Sequence, residues 1–425
     1  MNACRILLVA YQCAPGMGSV SQIGWEWYSR LCKNNAVTLV THVRNRAALS
    51  AAGAPCPGSE IIYIDTEWFA APLYRSAKRL FPRSEHSVFL VSSLDYFVFD
   101  FAAYRLLRQR LAAGAAWGVL HRVTPVTLAA PTWLSRLNLP TVVGPLNSGL
   151  NDPQAFRQQV RQESTWLSKA RTLGRALDRA LGSSRRAARI LTASRATLQA
   201  VAPQYRHRCR MMLENGVDLQ RFSPSPWPAA PNIQNPLKIL FVGRLVAVKG
   251  LDLLLQAVAQ LKQAGVLVHL EVVGDGPMRA PWQAQSRALQ LTEEVNFHGA
   301  ASQEVVAEKM RDCHVFCLPS VRESGGAVLL EAMASTRPVI ALNFGGPAEI
   351  VSERIGALLA MESPEQVVSS LFASLLDVTR NPGVWRQRGH NGRREVEARH
   401  SWPAKITTAQ ALYGELLAER SLSCC

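Results

Sequence analysis

Between Ser223 and Pro236 the chain sets five prolines into fourteen residues without a single charge. Proline lacks a backbone N–H and fixes φ, so neither a helix interior nor a central strand accepts such a stretch. It reads as a linker. It divides 425 residues into two parts, each long enough to bury a core of its own.

The same rhythm runs on both sides of it. An apolar run, Ile6 to Ala10, meets a turn, Pro15-Gly16-Met17-Gly18-Ser19, and then a helical stretch opening near Ile23. Strand-like runs follow at Val37–Val40, Ile61–Ile64, Val119–His121, Thr141–Gly144 and Ile190–Thr192. Beyond the linker come Lys238–Val242, Val268–Val273, Val295–His298, Val315–Leu318 and Val339–Ala341. Apolar strands alternating with helices predict parallel sheets covered on both faces. The expected organisation is α/β with two Rossmann-like, doubly wound domains, 1–222 and 237–400, joined by the linker 223–236. A helix from Trp402 to about Leu417, within 401–425, is expected to trail the second domain.

The formal charge of +16 is unevenly shared. Residues 1–235 hold 28 Lys+Arg against 12 Asp+Glu, whereas the remainder balances at 19 against 19. Any anionic partner is therefore expected to meet the first half. Arg157 to Arg189 carries nine basic residues, interleaved with Trp166, Leu167, Leu173, Leu177 and Leu181. Helical spacing there would give a basic amphipathic surface suited to anionic lipid headgroups or a lipid diphosphate, the alternative being a solvated helical face that happens to be arginine-rich. The charge comes without an aromatic platform or nucleic-acid-binding motif, which argues against nucleic acid. No uncharged run reaches the ~18–20 residues of a membrane span, and the start has no secretory pattern. The expected location is cytoplasmic, or peripheral on the cytosolic face of a membrane. Nine scattered cysteines, Cys313 and Cys317 among them in an apolar run and Cys424-Cys425 at the end, read as free thiols. No Asp-x-Asp triplet or His/Cys/Asp cluster has metal spacing, so neither metal nor cofactor is expected.

Two elements carry chemistry. In Glu323-Ser-Gly-Gly-Ala-Val-Leu-Leu-Glu331 the first glutamate follows a strand end, where open α/β sheets bind ligands. The second lies about two turns into a helix expected to begin near Gly325. Gly325 and Gly326 leave backbone N–H groups at that helix start open to an anion or a sugar. One carboxylate then suits sugar hydroxyls and the other ribose hydroxyls, although Glu331 alone could equally solvate a helix. In Gly243-Arg244-Leu-Val-Ala-Val-Lys249-Gly250 two cations sit near one loop after a strand. They could neutralise a diphosphate leaving group, or simply be solvated surface charges.

Together these resemble the retaining family-4 glycosyltransferases of GT-B fold over nearly the whole chain. The pattern includes the Gly16-Met17-Gly18 loop, Asn215-Gly-Val-Asp218, the Gly-Arg…Lys-Gly pair and Val273-Gly-Asp-Gly-Pro277. It ends with Glu323 to Glu331 running into Val339, and Gly345-Gly-x-x-Glu349. The resemblance implies that Arg244 and Lys249 bind the diphosphate of a nucleotide-sugar donor, most readily a UDP- or GDP-sugar. It implies that Glu331 holds the ribose, that Glu323 faces the sugar, and that amides from Gly325 to Ala327 complete the cradle. Gly16 and Gly18 would let the first loop approach the phosphates. His121 would be an active-site histidine reaching the sugar. Transfer would go to a saccharide or lipid-linked acceptor, with retention of configuration and without a metal. Gly325 stands where the family commonly has an aromatic residue, which bears on the shape of the sugar pocket and so on donor identity, and Thr336-Arg337 replaces a glycine-containing step before Pro338. Fragments Gly18-Ser19…Gly24-Trp25 and Gly144-Pro145-Leu146-Asn147 resemble bacterial surface-polysaccharide transferases. A sugar-nucleotide epimerase, a phosphorylase-like enzyme and an inactive scaffold of the same fold are the competing readings.

Overall fold

A computed structural model describes residues 5–80, 94–150, 153–156 and 176–423. The pair Cys424-Cys425 and residues 157–175 of the basic stretch lie outside the described residues. By contacts the chain forms two units. Described residues up to 149, 176–214 and 405–423 make the first, and 150–156 and 215–404 the second. The units thus change over at 149/150, 214/215 and 404/405, whereas the sequence places boundaries at 222/223 and 400/401.

The first unit is built on strands β1 (Arg5–Ala10), β2 (Ala36–His42), β3 (Glu60–Ile64), β4 (Val119–Thr124), β5 (Thr141–Leu146), β6 (Arg189–Thr192) and β7 (Cys209–Met211). They form a sheet in the order β3-β2-β1-β4-β5-β6-β7, and every pairing is parallel. Helices α1 (Ser19–Leu31) and α2 (Asp95–Ala112) supply buried side chains such as Trp27, Tyr28, Phe99 and Leu107. Strand β4 is buried at all six positions, as a parallel strand covered on both faces should be. Helix α3 (Arg195–Ala200) starts at Ser194, whose hydroxyl accepts the Thr197 N–H at 3.1 Å.

The helix Trp402–Ser423 departs from expectation. From Lys405 onward it belongs to the first unit, not behind the second. Lys405, Ala409, the pair Leu412-Tyr413 and Leu416 are all buried, recurring every three or four residues along one face. The Lys405 ammonium donates to the Leu213 carbonyl, and Arg189 pairs with Glu419. That apolar stripe is why the helix packs rather than trails.

The second unit repeats the plan with β8 (Leu237–Val242), β9 (Val268–Val273), β10 (Val295–Gly299), β11 (Val315–Leu318), β12 (Val339–Leu342) and β13 (Gly356–Leu359). Their order is β10-β9-β8-β11-β12-β13, again parallel. Helix α4 (Leu251–Gln263) buries Leu251, Leu254, Val258 and Leu261 completely. Each contributes roughly 1.5–3 kcal/mol by leaving water. Helix α5 (Ala327–Ala334) follows β11. The expected strands all form, and β7 and β13 are additional.

The proline-rich segment is not loose against the second unit. The fully buried Arg337 donates to the Ser225 and Pro226 carbonyls and the Ser225 hydroxyl, and also to the Met310 and Arg311 carbonyls. Trp227 Nε1 donates to the His314 carbonyl at 2.9 Å. His314 Nε2 donates to the Ala229 carbonyl at 2.8 Å, while its Nδ1 accepts the Lys238 N–H.

Candidate functional site

In both sheets the winding reverses once, between β1 and β4 in the first and between β8 and β11 in the second. Such switch points leave a crevice at the carboxyl ends of the strands. In the second unit the loops flanking the reversal are the two singled out from sequence: Gly243 to Gly250 after β8, and Pro319 to Gly326 after β11.

Backbone packing locks these loops together. Gly250, at φ +65°, caps α4, and a Cβ there would lie 2.1 Å from the Pro319 carbonyl. The Val321 N–H donates to the Val248 carbonyl at 2.9 Å. On the other side Gly345, at φ +63°, leaves no room for a Cβ, which would fall 2.0 Å from the Glu323 carbonyl. The Gly346 N–H donates to that carbonyl at 3.0 Å. Both glycines are needed for conformation and for closeness. The segment bearing Glu323 is thus held from both sides.

Lys249 and Glu323 form an ion pair between half-buried side chains. The other carboxylate oxygen of Glu323 accepts the Gly326 N–H at 3.2 Å. Helix α5 starts at Ala327 rather than near Gly325, with Gly326 as its left-handed cap and no side chain capping it. Gly325 and Gly326 are buried, with Ala327 half-buried beside them. Arg244 is exposed on the β8 loop, and its guanidinium has no hydrogen-bond or ion-pair partner among the described residues.

Glu331 lies on α5 and is half-buried. Burial pushes its carboxyl up to about 7, opposed by the positive charge of Arg221. Sequence reasoning quoted Asn215 to Asp218 but passed over Arg221. Asp218 Oδ1 accepts the Gln220 and Arg221 N–H groups, at 2.9 and 3.3 Å, in an Asx-type turn that fixes the start of the arginine. The guanidinium also meets Gln303 and lies 3.5 Å from Glu304. An Asp three residues before an Arg was the available signal.

The first-unit candidates are placed differently. Gly16 and Gly18, at φ +73° and +94°, lie exposed on the loop after β1, and Gly18 caps α1. His121 requires correction. It is fully buried within β4, its Nε2 2.7 Å from the Gly144 carbonyl and its Nδ1 2.6 Å from the Tyr413 hydroxyl. A carbonyl can only accept, so Nε2 carries the proton and Nδ1 accepts from tyrosine. Trp27 packs edge-on at 4.9 Å. Burial pushes its pKa down to about 4, and the neutral ring has spent both nitrogens. His121 is a core residue here and leaves the candidate set.

A polar network unforeseen from sequence stands at the carboxyl edge of β1–β3. Asp95 accepts from Tyr11 at 2.8 Å and from Thr66 at 2.7 Å. The Arg44 N–H donates to His42 Nδ1, so His42 Nε2 donates to Thr66. Its members satisfy one another. Among the described residues no three His, Cys, Asp or Glu side chains converge as a metal site, and the six described cysteines are unpaired. No helix among them is long and apolar enough to cross a membrane.

The sequence signature of the family described as Glycosyl transferases group 1 matches residues 226–388, the stretch that holds Arg244, Lys249, Glu323 and Glu331. A putative colanic acid biosynthesis glycosyltransferase of Escherichia coli, WcaL, is 33% identical over 169 residues, 37% of this chain and 40% of the relative. The matched stretches span less than half the length of such relatives. A glycosyltransferase from Rickettsia africae superposes with a TM-score of 0.64 at 15% identity, covering 98% of this chain and 99% of that one. Anabaena HepE, solved with UDP, gives 0.63 at 16% identity, with 98% and 100% covered. At such identities the agreement speaks for the fold, two Rossmann-like domains of GT-B type.

Proposed function

We propose, from the match of residues 226–388 to the glycosyl transferases group 1 signature, that the chain transfers a sugar from a nucleotide-diphosphate sugar to a saccharide or lipid-linked acceptor. The observations that carry the reading are the Lys249–Glu323 ion pair on the loops flanking the switch point of the second sheet and, on the helix that follows β11, Glu331 within the field of Arg221. A cation beside two carboxylates suits a ligand with an anionic middle and hydroxyls at both ends, which describes a nucleotide sugar. UDP is favoured over GDP because HepE was solved with UDP and with UDP-glucose.

In this scheme the diphosphate competes with Glu323 for Lys249, and Arg244 closes on it from solvent. Freed from Lys249, Glu323 accepts sugar hydroxyls, while Glu331 accepts those of ribose. The unfilled N–H groups at the start of α5 receive the remaining negative charge. The bond from the anomeric carbon to phosphate oxygen breaks, and the acceptor hydroxyl adds on the same face. Its proton passes to the departing diphosphate, and the anomeric configuration is retained. Charge neutralisation by Lys249 and Arg244 takes the part a metal plays elsewhere. The relatives named for polysaccharide synthesis suggest that setting, at the cytosolic face of a membrane that the basic first half meets.

The test is a thermal-shift panel of UDP-, GDP-, ADP- and CMP-sugars run in a chelator. One nucleotide should raise Tm, and Lys249→Ala should abolish the shift and lower kcat/KM at least a hundredfold while remaining folded. An unaltered shift in Lys249→Ala would sink the assignment. Appearance of isomerised or phosphorolysed donor, with no transfer, would favour the epimerase or phosphorylase reading, and absence of all turnover the inactive scaffold.

A further inference from the structure

The first unit holds a cavity of about 530 Å³ with no part in the donor chemistry. That is the size of small-molecule sites, ~300–1,000 Å³. It is enclosed by the loop after β4, by Ser148 and Gly149 after β5, by the short helix Ser183–Arg186, and by the chain from α3 into β7. Its wall is apolar where Leu128, Ala200, Val201, Ala202 and Pro203 meet. The inner end adjoins a space of about 10 Å³ beside buried Arg122, room for about one water. A ligand's bulk therefore stays in the larger part.

The rim is cationic. Residues 176–213 contain eight arginines and one acidic residue, Asp178. Asp178 Oδ1 is occupied by the Ser184 N–H at 3.0 Å. Most of these arginines are committed: Arg186 to the Leu181 carbonyl at 2.7 Å, Arg206 to Val201 at 3.0 Å, Arg208 to Arg185 at 2.8 Å. Arg179 and Arg185 line the cavity and are exposed, and their guanidinium groups have no hydrogen-bond or ion-pair partner among the described residues. An apolar hollow under two uncommitted guanidinium groups complements a molecule with an apolar chain and a phosphate head.

We infer that this cavity holds the chain of a single lipid diphosphate, with the diphosphate paired to Arg179 and Arg185 at the rim. Its use as the acceptor site rests on the transferase reading; its capacity to bind the lipid does not.

The test is calorimetric titration of the full chain with a C15 isoprenyl diphosphate, against inorganic diphosphate and the C15 alcohol. The amphiphile should bind at least tenfold more tightly than either control. Ala202→Trp, which fills the hollow, should weaken it at least tenfold. Arg179→Glu with Arg185→Glu should do the same and flatten the salt dependence. These arginines are on the surface, so their variant decides the matter should Ala202→Trp unfold. No binding to wild type, equal binding of inorganic diphosphate, or full binding by the arginine variant overturns the inference. So does a preference for phosphatidylglycerol vesicles that a folded Ala202→Trp leaves unchanged. Nucleotide shifts on the same samples separate the two claims. A UDP-sugar shift without lipid binding removes the cavity alone, and lipid binding without any nucleotide shift removes the transferase reading alone.

Discussion

Glu331 holds its proton to about pH 7 because burial penalises its charge. If ribose hydroxyls donate to it, binding requires the ionised form, so nucleotide affinity should rise roughly tenfold from pH 6 to pH 8. Glu331→Gln should flatten that profile in titration calorimetry. The stability sign is opposite. A carboxyl whose folded pKa exceeds its unfolded one favours folding fully below about 4.5, and that contribution is lost as pH rises through about 7. His121 gives a contrasting expectation. His121→Ala removes two buried hydrogen bonds and an aromatic contact, costing ~2–4 kcal/mol. Tm should fall by several degrees while kcat/KM of the folded fraction stays unchanged; a collapse in kcat/KM at constant Tm would return it to the active site. The two loops that bring Lys249 and Glu323 together were legible because glycines and charges stood at the end of apolar runs. His121 was not, since a strand buried at every position has no alternation to show which way a side chain points. Arg221 was hidden because its placement depends on a turn made by another residue.

Among the elements, central strands announced themselves as apolar runs, whereas the edges did not. Strand β7 is only Cys209-Arg210-Met211, with its last two residues exposed, and β13 begins at a glycine. Such short pieces acquire strand character from the neighbour they pair with. The proline-rich segment was legible as a break in secondary structure, but not as a docked one. Arg337, more than a hundred residues along the chain, docks its start, and His314 holds Trp227 and Ala229 beyond it. Arg337→Met would strand the Ser225, Pro226, Met310 and Arg311 carbonyls without that donor. A loss of about 3 kcal/mol should follow, with faster proteolytic cutting within 223–236. Cutting at the wild-type rate would show that the segment is held by other contacts.

At the scale of the whole molecule, two doubly wound sheets were readable from rhythm alone, but the destination of Trp402–Ser423 was not. Its apolar stripe says that it packs without saying on which domain. Removing residues 405–425 should therefore cost the first unit and spare the second. Hydrogen exchange should quicken in β4, β5 and β6 while β8 and β9 keep their protection; equal protection in all five would contradict the seating of Tyr413 and Leu416. The same seating governs the order in which the molecule can be made. A ribosome delivers β1 to β7 first and the covering helix last, on the order of tens of seconds later at ordinary synthesis rates. In that interval the buried face around His121 lacks its partner Tyr413. The domain that is born first is thus the one finished last.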